Sequence, residues 1–271
     1  MRRWGLWLFF GLTFGITWGL ALFYIFQPGA AVRTLGPVGF ANPFIFLAVW
    51  SPTLSAIVVA GLVDGRRGLR DFFGRLLRWR IGWHWYVVAV GGTAGLALAA
   101  RYLNSHFTGI APPPIFEVSQ YPTWALIGLI TLVADPGPLG EDPGWRGFAQ
   151  PRMLARWRGL WVGVTLGLVW GVWHLPAFFI PGMPQVAISI PWFLAGTIGI
   201  SILMVWVSNK TQGSAIPAIL IHWALNRFND FAGNGTMFMA ITFGGAALLV
   251  LLFFGMDLGK TRAQQITSLS Q

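Results

Sequence analysis

The first apolar run, Trp4–Phe26, contains no charged residue, and runs of this kind recur along most of the chain. About 18 consecutive apolar residues suffice to cross hydrocarbon as a helix. In lipid a helix also satisfies its own backbone donors and acceptors, which leaves few other folds open to such a sequence. The composition agrees. Hydrophobic residues make up 55% of the 271 residues and charged residues only 10%, with a mean hydropathy of +0.65. A soluble domain carries about 25% charged residues. The expected fold class is all-α, a polytopic transmembrane bundle. Eight spans can be drawn: near Trp4–Phe26, Val38–Val63, Ile81–Leu98, from about Tyr121, Leu160–Ile180, Ile188–Val207, Ala215–Phe228 and Met237–Phe254. The seventh is short.

The net charge is +10. In a soluble protein that balance suggests nucleic acid. Here the basic residues cluster between apolar runs, so they read as topology signals and contacts to anionic lipid, and no nucleic-acid partner is expected. With a cytoplasmic N-terminus and eight spans, only Arg33, Arg101 and Arg227 fall on the outer side. The rest of the 18 lysines and arginines, Arg146 included, fall inside, so both termini are expected in the cytoplasm of a cell-membrane protein. Met1-Arg2-Arg3 before an apolar stretch is signal-like. The stretch is too long for an h-region, and no small-residue cleavage pattern follows, so it reads as a retained span. Asp64–Arg80 alternates arginines with Leu69, Phe72, Phe73, Leu76, Leu77 and Trp79, which predicts an amphipathic helix on the inner leaflet. Trp83, Trp85 and Tyr86 follow as an interfacial belt. Ala111-Pro112-Pro113-Pro114 reads as an outer connector, and the polar tail after Lys260 as frayed. The absence of cysteine excludes disulfides and thiol catalysis.

Ionisable groups inside hydrocarbon are costly and therefore mark function. The chain has two glutamates. Glu117 falls in an outer loop, and Glu141 lies in the phrase Gly140-Glu141-Asp142-Pro143-Gly144-Trp145-Arg146-Gly147. Asp142 and Arg146 are spaced to pair on one helix face. Asp142 also reads as an N-cap ahead of Pro143, with Glu141 just before the helix. Asp135-Pro136-Gly137-Pro138 upstream predicts that the fourth span is broken. His84 and His106 read as ordinary interfacial residues. His174 lies in an apolar run one turn after Trp170, which is placed to fix its ring. His222 and Asn226 share a helix face.

A carboxylate-containing phrase with arginine, then Trp170-x-x-x-His174, then His222-x-x-x-Asn226, resembles the CPBP family, which includes type II CAAX prenyl proteases and bacteriocin-processing or immunity proteins. Asp142 stands where that family usually has a second glutamate, and Trp170 where phenylalanine is frequent. The resemblance covers about residues 121–228, with 1–271 read as one domain. It implies a membrane-embedded endopeptidase acting on a membrane-associated peptide, a prenylated C-terminus among the options. Catalytic roles then fall to Glu141 as general base, His174 as holder of the water, and His222 and Asn226 as oxyanion stabilisers, supported by Asp142, Arg146 and Trp170. His174 and His222, with a carboxylate or Asn226, also carry the donor types of a zinc or other divalent-metal site, although no His-Glu-x-x-His helix is present. A water mechanism without metal stays equally open. Two other readings remain: a non-catalytic immunity or partner-binding protein, and a small proton-coupled transporter with a midplane site.

Overall fold

The computed structural model describes residues 4–39, 41–110, 121–228 and 236–259. The expected outer connector, Glu117, the first arginines and the polar tail lie outside them. The described residues form helices without strands: α1 (Trp4–Phe26), α2 (Pro28–Leu35), α3 (Pro43–Leu76), α4 (Trp83–Val87), α5 (Thr93–Thr108), α6 (Tyr121–Ala134), α7 (Pro136–Asp142), α8 (Gln150–Leu154), α9 (Gly159–Trp173), α10 (Ile190–Lys210), α11 (Ile216–Phe228) and α12 (Thr236–Phe254). Among them, seven helical stretches are long and apolar enough to cross a membrane. The chain is an integral membrane protein with an all-α fold.

The count differs from eight at one place. α11, the seventh expected span, has 13 residues and reaches only about 20 Å at ~1.5 Å per residue. It therefore spans part of the bundle's depth. The fifth span runs over Gly159–Phe179, with α9 stopping at Trp173 and a 3-10 turn, Leu175–Phe179, completing it.

Small residues set the helix packing. Gly163, Gly167 and Gly171 recur every four residues along α9. A Cβ at Gly167 would stand 2.6 Å from the Ile198 Cα and 2.7 Å from the Thr197 carbonyl of α10. On α10, Gly199 meets α12 the same way, 2.9 Å from the Gly244 nitrogen. Lipid tails are as apolar as leucine, so close backbone approach and dispersion hold such helices together.

Two prolines inside helices free carbonyls that hydroxyl groups then satisfy. Pro52 in α3 cannot donate to Ala48, and the Ala48 carbonyl instead accepts from Thr17 Oγ1 of α1 at 2.8 Å. Pro143 cannot donate to Leu139, whose carbonyl accepts from Thr53 Oγ1 at 3.2 Å. A freed carbonyl at membrane depth must find such a partner. After Pro143 the backbone runs as a π-helix, Pro143–Ala149. The Pro52 stretch fits there closely: a Cβ at Gly144 would lie 2.4 Å from the Pro52 carbonyl.

The amphipathic segment does turn away from its span. Gly65 adopts φ 62° and ψ −149°, a backbone that residues with a Cβ rarely take, and Arg66, Arg67 and Arg70 beyond it are exposed. Arg152 pairs with Asp64 at 2.6 Å, and Arg158 with Asp257 at 3.2 Å. The Arg78 guanidinium donates to the Gln212 carbonyl, and Ser214 donates to the Arg78 carbonyl at 2.8 Å. The C-terminal ends of α3, α8, α10 and α12 thus meet at one basic end of the bundle. Arg146 is a correction to the charge count: it is 1% exposed within the bundle and is no loop charge.

Gly167→Val should fail to pack α9 on α10, at a cost of about 1–3 kcal/mol or more for overpacking. Gly15→Ala, with nothing within 4 Å of its added Cβ, should be neutral. Thermal unfolding in detergent measures both.

Candidate active site

The site is assembled where three helices are interrupted. α6 ends at Ala134, and Asp135 opens the next helix: its extended backbone and its side chain, accepting from the Gly137 nitrogen at 3.0 Å, make it the N-cap of α7. This corrects the expectation that Asp142 is the cap and that Glu141 precedes the helix. Asp142 has helical angles, φ −66° and ψ −31°, and makes no cap bond. Both acids lie in α7, just before the π-helical register begins.

Asp142 is fully buried between Arg146 and His222. Arg146 Nε lies 3.4 Å from Oδ1, and His222 Nδ1 of α11 lies 2.9 Å from Oδ2. Because a carboxylate oxygen accepts, Nδ1 carries the proton and donates. Arg146 also donates to Ser201 of α10 at 2.9 Å and stands over the Trp170 ring, 5.6 Å from its centroid. Asp142 therefore orients His222 from behind as well as pairing with Arg146, an arrangement that local spacing did not reveal.

Glu141, 4% exposed, points the other way. Its Oε2 accepts from the Trp170 indole Nε1 at 2.7 Å and lies 3.8 Å from His174 Nε2. His174 sits at the C-cap of α9, where its Nδ1 meets the Trp170 carbonyl at 2.9 Å. A carbonyl only accepts, so His174 carries its proton on Nδ1, and Nε2 faces Glu141 with its lone pair when the ring is neutral. Trp170 thus fixes both groups. Its backbone sets the His174 tautomer, its indole holds Glu141, and its ring meets the imidazole edge-on at 5.7 Å. Trp173 and Phe193 enclose the same imidazole at 4.7 and 5.4 Å. From α1, Thr17 accepts from Trp173 Nε1 at 3.0 Å, and Trp18 donates to the Trp173 carbonyl at 3.2 Å. These bonds pin the end of α9.

Asn226 donates through Nδ2 to Asp135 Oδ2 at 3.0 Å. A Cβ on Gly137 would stand 3.2 Å from Asn226 Nδ2, 3.3 Å from Asp135 Oδ1 and 3.5 Å from His222 Nε2. Three polar groups therefore converge on the bare backbone of Gly137. Glu141, His174, His222 and Asn226 all line one cavity of about 910 Å³, as expected from the motifs. Asp135 and Gly137 were not foreseen as site residues; the Asp-Pro-Gly signal was read as a helix break alone. His84 and His106 lie outside the cavity lining.

Among the described residues, no three His, Asp or Glu groups are placed to hold a metal ion together. Both Nδ1 atoms have protein partners, and Asp142 is engaged by Arg146 and His222.

Removing one partner of a buried ion pair costs about 3–5 kcal/mol, whereas replacing both by apolar groups is often neutral. Asp142→Asn should therefore be strongly destabilising, well beyond the ~1 kcal/mol of a lost cap. Asp142→Leu with Arg146→Met should recover much of that loss. Melting temperatures of the two variants and the native chain provide the comparison.

Residues 119–228 match the family model described as Type II CAAX prenyl endopeptidase Rce1-like. Over 92 residues the chain is 29% identical to CAAX prenyl protease 2 of Methanococcus maripaludis, a match covering 32% of this chain and 34% of that protein. The chain thus spans about a third of the length of this curated relative. The segment 119–228 contains all three polar motifs, and over it the chain is similar to type II CAAX prenyl endopeptidases.

Proposed function

We propose that the protein is an intramembrane endopeptidase that hydrolyses a peptide bond in a membrane-associated substrate, with Glu141 and His174 activating a water. The observation that carries this reading is the 3.8 Å separation of Glu141 Oε2 and His174 Nε2. Two acceptors at that distance suit one water donating a hydrogen bond to each, which leaves its oxygen lone pair free to attack. Polar groups held in a fixed geometry also avoid reorganisation during the reaction.

Glu141 takes the proton as the water oxygen bonds to the scissile carbonyl carbon. The carbonyl oxygen becomes the oxyanion. His222 and Asn226 are the groups on the opposite wall that stabilise it. Asn226 has two amide hydrogens, one used by Asp135, so the other remains to donate. Asp142 supplies the counter-charge for positive charge on His222. Collapse of the intermediate breaks the C–N bond, and Glu141 returns its proton to the leaving amine. A prenylated C-terminus is one candidate substrate, by likeness to the relative's name. The exposed arginines beyond Gly65 suit anionic headgroups.

Glu141→Gln keeps an acceptor for Trp170 but removes the base. Cleavage of a membrane-anchored reporter should fall by about 10²–10⁴-fold with the melting temperature little changed. Gly137→Ala should likewise lower cleavage more than stability, because its methyl group enters between His222 and Asn226. If the purified native protein and the Glu141→Gln variant bind a membrane partner equally well and neither cuts it, the partner-binding reading replaces this one.

A further inference from the structure

The cavity has a direction. α1 contributes only from Thr17 onward, and α3 only its opening turns at Ile45, Ala48 and Val49. α10 lines it from Trp192 to Ile200 and α12 at Thr236 and Met239, in both cases the first part of the helix. The segment that follows His174 closes one side with Met183, Pro184 and Ala187. Every one of these positions lies in the half of its helix remote from the basic end, where α3, α8, α10 and α12 terminate, or in the connection between helices at that remote end. Exposure rises in the same direction. Glu141 and His222 are 4% and 5% exposed, while Asn226, one turn further along α11, is exposed.

The other half is plugged. Trp145, Phe148 and Ala149 are completely buried and Met153 is 3% exposed. Phe9 of α1 packs on Trp145 and Phe148 at ring distances of 5.4 and 5.0 Å. Among the described residues, no lysine or arginine lines the cavity. A peptide therefore has no route to Glu141 from the basic end.

Positively charged loops stay on the cytoplasmic side. We infer that the cavity opens to the non-cytoplasmic half of the membrane, and that its substrate is a juxtamembrane peptide segment presented from that side. The substrate class rests on the peptidase reading above; the direction of the mouth does not. On this direction the prenylated C-terminus, named above as a candidate by likeness alone, gives way to a segment on the outer side, because a cytoplasmic C-terminus does not reach the mouth.

The absence of native cysteine makes the test direct. Ala187→Cys places a thiol at the exposed rim, and Arg70→Cys places one on the exposed basic segment. In intact cells making the full chain, a membrane-impermeant maleimide should label Ala187→Cys and should reach Arg70→Cys only after permeabilisation. Two single-span reporters of opposite orientation, carrying the same cleavable segment, should then differ: the one with that segment outside is cut, and its inverted counterpart is not. Labelling of Arg70→Cys in intact cells with Ala187→Cys protected overturns the inference, as does cleavage of the inverted reporter alone. If Ala187→Cys labels from outside but neither reporter is cut, the orientation stands and the peptidase reading fails.

Discussion

The buried carboxylate of Asp142 organises the centre of the molecule. It lies between Arg146 on its own chain segment and His222 from α11. A charge at this depth is tolerated only when paired and hydrogen-bonded. Once Asp142 is held there, Arg146 must be accommodated too, and it is, by Ser201 of α10 and the face of Trp170. One ion pair therefore ties α7, α9, α10 and α11 together. It also holds His222 with Nδ1 toward Asp142, while Glu141, the sequence neighbour of Asp142, meets Trp170 and His174 at the end of α9.

That geometry depends on broken helices. A continuous helix through residues 121–154 would carry Glu141 past His174, which ends a different span. The extended Asp135, the prolines at 136 and 143 and the π-helical register shift the chain so that the acids meet α9 and α11. The cost of interrupting a helix inside a membrane is a set of free carbonyls. Hydroxyl groups of Thr17 and Thr53 satisfy two of them. The same Thr17 accepts from Trp173, so the repair of α3 also braces the turn that presents His174.

The tryptophan-rich and glycine-rich faces of α9 divide the work. Gly163, Gly167 and Gly171 let α10 approach closely, which fixes the depth of α9. Trp170 and Trp173 on other faces reach α7 and α1. Positioning of His174 is thus a consequence of helix packing rather than of a flexible loop, and sites on rigid elements hold their geometry best.

Much of this was legible in the residues themselves. Unbroken apolar runs dictated helices in a membrane, because few other backbones satisfy their polar groups there. The rarity of carboxylates and imidazoles in those runs marked Glu141, His174 and His222, helical spacing from His222 marked Asn226, and Asp135-Pro136-Gly137-Pro138 marked a break. What local pattern could not supply was the partner of each group. Asp142 and Arg146 are four residues apart and read as a local pair with a cap, yet His222, 80 positions away, decides what Asp142 does. Trp170 read as a ring beside His174, while its indole reaches across to Glu141. Asp135 read as a turn, and the fold gave it Asn226. Helix period fixes which side chains share a face, over a few residues. Which faces meet, and at what depth, is set by close glycine contacts and buried charge between distant segments, and only the tertiary structure decides those.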